Sequence, residues 1–280
     1  VQISPRYGAH PIITLDGAAA DQRDTVIGQR RRLEAALRSM TEEEWCSPSR
    51  CEGWSVQDVV AHLADTNAFW RASISSALAG APTRLLEGFD PKATPAALVE
   101  AMRGATAAET LARFAKSNQV LCDLLAGLDE RGWSTMAEAP PGHLPIRLVA
   151  HHALWDAWVH ERDILLPLDI RPEEDPNEVA ACLRYAAALV ASFAVMLHPA
   201  DAATLVVEAT DPALRIVVDI GTVVVVGDDP GAVGSVVLRG DAVDLVEMLS
   251  VRKPLDAQVA EEHRSLLSGL AEVFEQAQPA

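Results

Sequence analysis

Two segments of the chain bring together side chains that bind metal ions. The first, RLVAHHALWDAWVHERDI at 147–164, carries His151, His152, Asp156 and His160 within ten positions of an otherwise apolar helical pattern. Asp156 and His160 are four apart, so a helix projects both from one face with Cβ atoms roughly 5–6 Å apart. One cation can meet both, since zinc–ligand bonds run about 2.0–2.2 Å. A pair on one helix cannot close a site. The second segment, DVVAHLAD at 58–65, offers the third ligand: His62 sits mid-helix beside Val59, Val60 and Leu63 and so faces inward. Two ligands from one helix, one from another and an open position describe a catalytic rather than a structural metal site. The open position takes water or a substrate atom. A plainer explanation stands beside this one. An inward histidine is often a hydrogen-bonded core residue, and an Asp-x-x-x-His pair recurs by chance.

The elements that must position these residues are helical up to about residue 200. DQRDTVIGQRRRLEAALRSM at 21–40 places Val26, Leu33, Ala36 and Leu37 at helical spacing. SVQDVVAHLADTNAFWRASISSAL, from 55, opens on Ser55 as N-cap with Asp58 in the first turn. A third helical region covers about 95–129, with a kink expected near Gly104. The segment 80–95 breaks the pattern and reads as a loop that could rim or cover a pocket; GWSTMAEAPPGHLP also reads as a loop, with His143 exposed. The quoted segment is the fourth helix. A further one at about 175–197 follows, its apolar run at 183–197 too interrupted to span a bilayer. Long amphipathic helices joined by loops imply a four-helix bundle. After His198 the pattern changes to β-branched runs: TLVVEAT, LRIVVDI, TVVVVGD and SVVLRG. With helices expected at 241–250 and 257–276, the tail is a small α+β unit. The expected organisation is thus a bundle over 1–199 and an α+β domain over 200–280.

Composition narrows the partners. The 280 residues carry a net charge of −17 and show no basic patch of the kind nucleic acid requires. Arg30-Arg31-Arg32 reads as a solvated helix face. Hydrophobic residues make up 49%, enough for a large core. No signal peptide is visible, and Cys46, Cys51, Cys122 and Cys182 read as reduced thiols of a cytoplasmic protein. Cys46 and Cys51 are close enough in sequence to pair or to share a metal.

Three segments resemble one family. GWSVQDVVAHLA at 53–64 and WDAWVHERDI at 155–164 look like the two signatures of DinB-like proteins of the mycothiol-dependent maleylpyruvate isomerase family. SVVLRGDAVDLVEMLSVRKPL at 235–255 is similar to the end of that family's C-terminal domain, which resembles sterol carrier protein 2. The resemblance implies a DinB-like bundle that holds a divalent metal, usually zinc, through His62, Asp156 and His160. Asp156 stands where the isomerase has a glutamate one methylene longer. It also implies a functional arginine in a Gly-Arg pair closing a helix, matched here by Arg252 with Val251 in place of the glycine.

The chemistry implied is activation of mycothiol, a small intracellular thiol. A thiol is a weak nucleophile until ionised, and a bound cation ionises it at neutral pH. Attack on a small electrophile then gives S-transfer if the thiol stays, or cis–trans isomerisation if it leaves. Arg252 would grip a carboxylate of thiol or substrate with its planar fork; its plainer reading is a surface arginine near a helix end. Asp163 would orient His160 or pair with Arg162, and His152 would support the metal or act in acid–base chemistry. Trp54, Trp70, Trp155 and Trp158 are pocket wall or core. Two other functions remain open on these residues: a metal-dependent hydrolase, and a small-molecule-binding protein without catalysis.

Overall fold

The computed structural model describes residues 4–15, 22–198, 202–229, 231–255 and 259–274. Four long helices form the bundle: α1 (Arg23–Arg38), α3 (Val56–Leu78), α5 (Ala107–Ala126) and α7 (Ile146–Leu165). Helix α1 packs on α5 and α7, and α3 packs on the same two, so four faces close on one interior. Their starts follow from local chemistry. Ser55 and Thr106 each accept a hydrogen bond from the backbone N–H three residues on, and the carboxylates of Asp58 and Glu109 accept one from the cap's own backbone N–H.

Shorter elements fill the connections: α2 (Glu42–Cys46), α4 (Ala93–Met102) and α6 (Glu130–Ser134). The region expected as one kinked helix over 95–129 is two helices, α4 and α5. Gly104 adopts φ +107, which a helix cannot continue through, and Thr106 caps a new one. The segment expected as a plain loop at 132–145 contains a hairpin, β2 (Met136–Ala139) against β3 (Gly142–Pro145).

Helix α8 (Pro176–Leu197) leaves the bundle and becomes the floor of the tail. Asp175 caps it and Pro176 opens it, a position where proline's missing N–H is harmless. It is long and apolar enough to cross a membrane by length and composition, yet 78% of its apolar window is buried within the fold. It packs against α7 on one side. On the other lie the sheet, α9 (Ala242–Leu249) and α11 (Gly269–Val273). Gly269 permits the last contact, because a Cβ there would lie 2.3 Å from the Ala194 nitrogen. The closing helix expected at 257–276 is α10 (Glu261–Arg264) and α11 among the described residues.

Among the described residues the sheet has five strands, ordered β1-β6-β5-β4-β7, where β1 is Ile13–Leu15, β4 Ala203–Thr210, β5 Ala213–Ile220, β6 Val224–Gly227 and β7 Val236–Gly240. Neighbours are antiparallel except β1–β6 and β4–β7. Strand β1 (Ile13–Leu15) precedes the bundle, so the sheet crosses the division expected at residue 200. One apolar core continues from Trp158 and Leu154 of α7, through α8, to Val207, Val218 and Val246 of the tail. Each large side chain in it contributes roughly 1.5–3 kcal/mol, so bundle and sheet stabilise each other.

Candidate metal centre

Helices α3 and α7 bring the three expected ligands together. One donor atom each from His62, Asp156 and His160 lies within 4.8 Å of the other two. The His62 and His160 rings meet nearly at right angles, centroids 5.0 Å apart. His160 Nε2 is 3.7 Å from Asp156 Oδ1, and its Nδ1 donates to Asp163 Oδ2 at 3.0 Å. That bond leaves the Nε2 lone pair facing His62 and Asp156, the arrangement seen where a carboxylate orients a ligating histidine. Asp156 Oδ2 is buried without a hydrogen-bond partner. A carboxylate oxygen left bare beside two imidazoles fits a divalent cation.

The charges differ ring by ring. Burial, then the neighbouring His160, lower the His62 pKa to about 4, so it is a neutral donor. Burial opposes charge on His160 as well, but its hydrogen bonds to Asp163 and Cys51 and the Asp156 charge outweigh burial and raise it to about 10. A cation entering here displaces a proton from His160.

Asp163 is the hub behind this ring. It is fully buried, and burial alone would raise its carboxyl; hydrogen bonds to His160 and Arg252 hold it far below the carboxylate range. Arg252 Nε reaches Oδ1 at 2.9 Å and Nη2 reaches Oδ2 at 2.8 Å. The fork expected to grip a ligand therefore grips Asp163. The Asp163–Arg162 pairing does not form; Arg162 turns to Glu174 and Glu247. Arg252 follows α9, whose end also ties down the bundle. Glu247 takes the fork of Arg50 at 2.8 and 3.0 Å, and Ser250 Oγ accepts from Trp155 Nε1 at 2.8 Å. The tail thus delivers one cation to the back of the ligand set.

Cys51 joins this cluster. Its thiol donates to Asp163 Oδ2 at 3.3 Å and lies 3.7 Å from His160 Nδ1. All four cysteines are free, and Cys46 is exposed, so the two do not pair. The position of Cys51, two residues before Gly53-Trp54, was the available signal. Trp54 itself packs against His62, ring centroids 5.4 Å apart and tilted by 54°.

His152 lies one turn before Asp156, buried between Trp70, Trp155 and Tyr185. Its Nδ1 shares a 2.8 Å hydrogen bond with the Tyr185 hydroxyl, and burial lowers its pKa to about 4. His151 is equally buried, bonded to the Arg147 carbonyl, and lowered to about 4 by burial. Trp158 faces away from the ligands, with Arg162 over its ring.

Two further expectations fail. His143 is buried, not exposed: its ring bridges the Gly8 N–H and the Thr83 carbonyl and packs on Tyr7. The Arg30-Arg31-Arg32 face is solvated only at Arg31. Arg32 bridges Glu161 and Glu178, and Arg30 is 2% exposed inside the bundle. The period Val26, Arg30, Leu33, Leu37 carried that signal. The segment 80–95 is anchored at its start, where Thr83, Leu85 and Leu86 all donate to Glu138.

A four-helix bundle in which two histidines and an aspartate converge, backed by an α+β unit, defines the class of this protein. Residues 28–165 match the family described as the mycothiol maleylpyruvate isomerase N-terminal domain, and this segment belongs to that family. Among solved structures, mycothiol-dependent maleylpyruvate isomerase and a histidine-to-alanine mutant of it are each similar with a TM-score of 0.57. Identity is 17%, over 83% of this chain and 89% of theirs. YfiT from Bacillus subtilis, described as a probable metal-dependent hydrolase with an unusual four-helix bundle topology, aligns over 61% of the chain with a TM-score of 0.41 and 16% identity. No curated protein sequence matches.

Proposed function

We propose that the chain is a metal-dependent enzyme that activates mycothiol for S-transfer to, or thiol-assisted cis–trans isomerisation of, a small electrophile. The observation that carries this is the convergence of His62, Asp156 and His160, with one Asp156 oxygen left bare. The family match of residues 28–165 supplies the thiol. In this reading the three residues hold a divalent cation, zinc by the chemistry of two imidazoles and one carboxylate. When bound, the cation lowers the pKa of a thiol so that it is ionised at neutral pH.

The chain's own residues do the rest. Asp163 fixes the His160 ring and keeps Nε2 available. Arg252 neutralises Asp163 and acts through it, as a positioning residue. His152, uncharged and held by Tyr185, sets the side of the site next to Asp156 without exchanging a proton. A cytoplasmic setting belongs to the same reading, because the thiol is intracellular and Cys51 must stay reduced to keep its contact with Asp163.

The test is elemental analysis of purified protein, followed by turnover assays with and without mycothiol. About one zinc per chain, lost in His62→Ala, and turnover that requires mycothiol are expected. Turnover without the thiol would point to a hydrolase, and protein that binds no metal would leave only a binding role.

A further inference from the structure

His160 has two ring nitrogens, and each faces a different set of donors. Nε2 faces His62 and Asp156. Nδ1 faces Cys51 and Asp163, and the donor atoms on that side also lie within 4.8 Å of one another. Their separations are close to those a cation would impose. A tetrahedral zinc with bonds of about 2.0–2.3 Å holds its ligand atoms about 3.3–3.6 Å apart. Here the three edges are 3.0 Å from Nδ1 to Asp163 Oδ2, 3.3 Å from Oδ2 to Cys51 Sγ and 3.7 Å from Sγ to Nδ1. The backbone fixes them in place. The Arg50 N–H bonds the Asp163 carbonyl at 3.0 Å, which ties the Cys51 loop to the end of α7, and the Cys51 N–H bonds Ser49 Oγ at 3.1 Å. Cys51 and His160 are half-buried, so the set keeps contact with solvent. Sulfur, imidazole nitrogen and carboxylate oxygen together suit zinc and softer divalent ions.

The two sets exclude each other. A neutral imidazole carries one N–H and one lone pair, so a metal on Nδ1 takes His160 away from His62 and Asp156. Arg252 stands where it can decide between them. Its fork covers both oxygens of Asp163, Nε on Oδ1 at 2.9 Å and Nη2 on Oδ2 at 2.8 Å, and Nη2 lies 3.9 Å from Cys51 Sγ. A cation entering between Cys51 and Asp163 would meet this like charge at contact distance, where repulsion is strong. Arg50 is the other cation at hand. Its Nε is 3.8 Å from Asp163 Oδ1, but its fork is taken by Glu247.

We propose that Cys51, His160 and Asp163 form a second metal site, one for thiophilic divalent ions, and that Arg252 holds it shut. The tail thereby decides which nitrogen of His160 meets a metal. A metal bound on the Cys51 side would disarm the ligand set on the other. The inference rests on the reading above only in naming the set with which this one competes.

Cobalt(II) distinguishes the two sets by absorption. Bound to nitrogen and oxygen it gives weak visible bands; a cobalt–thiolate bond adds intense near-ultraviolet charge transfer. The full-length chain, metal-free and reduced, is titrated with cobalt(II). Wild type should show visible bands, lost in His62→Ala, and no thiolate absorption. Arg252→Gln should gain the thiolate absorption, and adding Cys51→Ser to that variant should remove it. Arg252→Gln without the absorption, absorption that survives Cys51→Ser, or wild type that already shows it would each overturn the proposal. Wild type that binds no cobalt, beside Arg252→Gln that gives the thiolate band, would sink the metal reading and leave this one standing. Should Arg252→Gln fail to fold, Arg252→Lys decides. A single ammonium lacks the fork that covers both oxygens of Asp163, so thiolate absorption should appear at a cobalt concentration where wild type shows none. Its absence at saturating cobalt overturns the proposal.

Discussion

Two carboxylates anchor opposite logic in this molecule. Glu138, on β2, is fully buried and saturated. Oε1 accepts from the Tyr7 hydroxyl and the Leu86 N–H, and Oε2 from the Thr83 hydroxyl and the Leu85 N–H, all at 2.7–2.8 Å. It fastens the N-terminal segment and the start of the 83–90 connection to the hairpin, and nothing further can bind it. Asp156 has one oxygen 3.7 Å from an imidazole and the other bare. A carboxylate whose lone pairs are all filled by its own chain is a fastener. One left open beside two imidazoles is free to receive a cation.

Replacement should separate the two. Glu138→Gln sets an amide N–H against fixed donors, and the metal-free protein should lose about 3 kcal/mol in urea unfolding, with zinc content unchanged. Asp156→Asn should cost less than about 1 kcal/mol in the metal-free protein and weaken zinc about 100-fold or more, beyond the range typical of supporting residues. If Asp156→Asn unfolded the protein as readily as Glu138→Gln, the distinction between fastener and receptor would be lost.

The next effect comes from behind the ligands. Asp163→Asn or Arg252→Lys should weaken zinc about 10–100-fold, because His160 loses its orienting charge or the fork that holds Asp163. Competition with a colorimetric chelator reads this. Equal zinc affinity in both variants would mean that Asp163 does not hold the ring. Protons sharpen the point. His160 is raised to about 10 from an ordinary value near 6.5. In the metal-free protein its contribution to stability is therefore complete below about pH 6.5 and is lost as pH rises through about 10. Zinc must displace that proton, so about one proton per zinc should be released at pH 7, measured by calorimetry in buffers of different ionisation enthalpy. His151 runs the other way. Buried and lowered to about 4, it contributes above about pH 6.5 and is lost as pH falls toward 4, with a slope approaching 1.4 kcal/mol per pH unit. His151→Gln should flatten the acid limb of a stability–pH curve and leave the proton released by zinc unchanged.

The convergence of His62, Asp156 and His160 was legible in the sequence because helical periodicity alone puts Asp156 and His160 on one face, and the apolar neighbours of His62 turn it inward. The bundle and the β-rich tail were legible for the same reason. Strand β1 was not: three residues say little by themselves, and their partner in β6 lies about two hundred positions away. Asp163 and Arg252 were each singled out, yet their pairing spans 89 residues and no local pattern encodes it. Arg30 was hidden by its charge, although its spacing with Val26, Leu33 and Leu37 placed it on the buried stripe. Glu138 went unremarked because a lone acid in a loop-like stretch shows nothing of the four donors that fold around it.

The smallest effect concerns the backbone at each centre. Beside Glu138, the chain needs a left-handed residue and has glycine: Gly142 sits at φ +127, and a Cβ there would lie 2.0 Å from the Arg6 carbonyl oxygen. Beside Asp163, the chain needs the same and has valine. Val251 holds φ +59 where α9 ends, a conformation that β-branched residues resist. The turn persists because the Arg252 N–H bonds the Glu247 carbonyl at 2.8 Å and its side chain bonds Asp163. Those bonds hold the valine in place, not the reverse. Val251→Gly should therefore stabilise the metal-free protein by about 0.5–1 kcal/mol, less than the full left-handed penalty because glycine loses more entropy on folding. Zinc affinity should stay within about twofold, a shift worth less than 0.5 kcal/mol. A loss of stability in urea unfolding would mean that Val251 contributes more through its packing than it costs through its backbone, and that the two centres are equally relaxed.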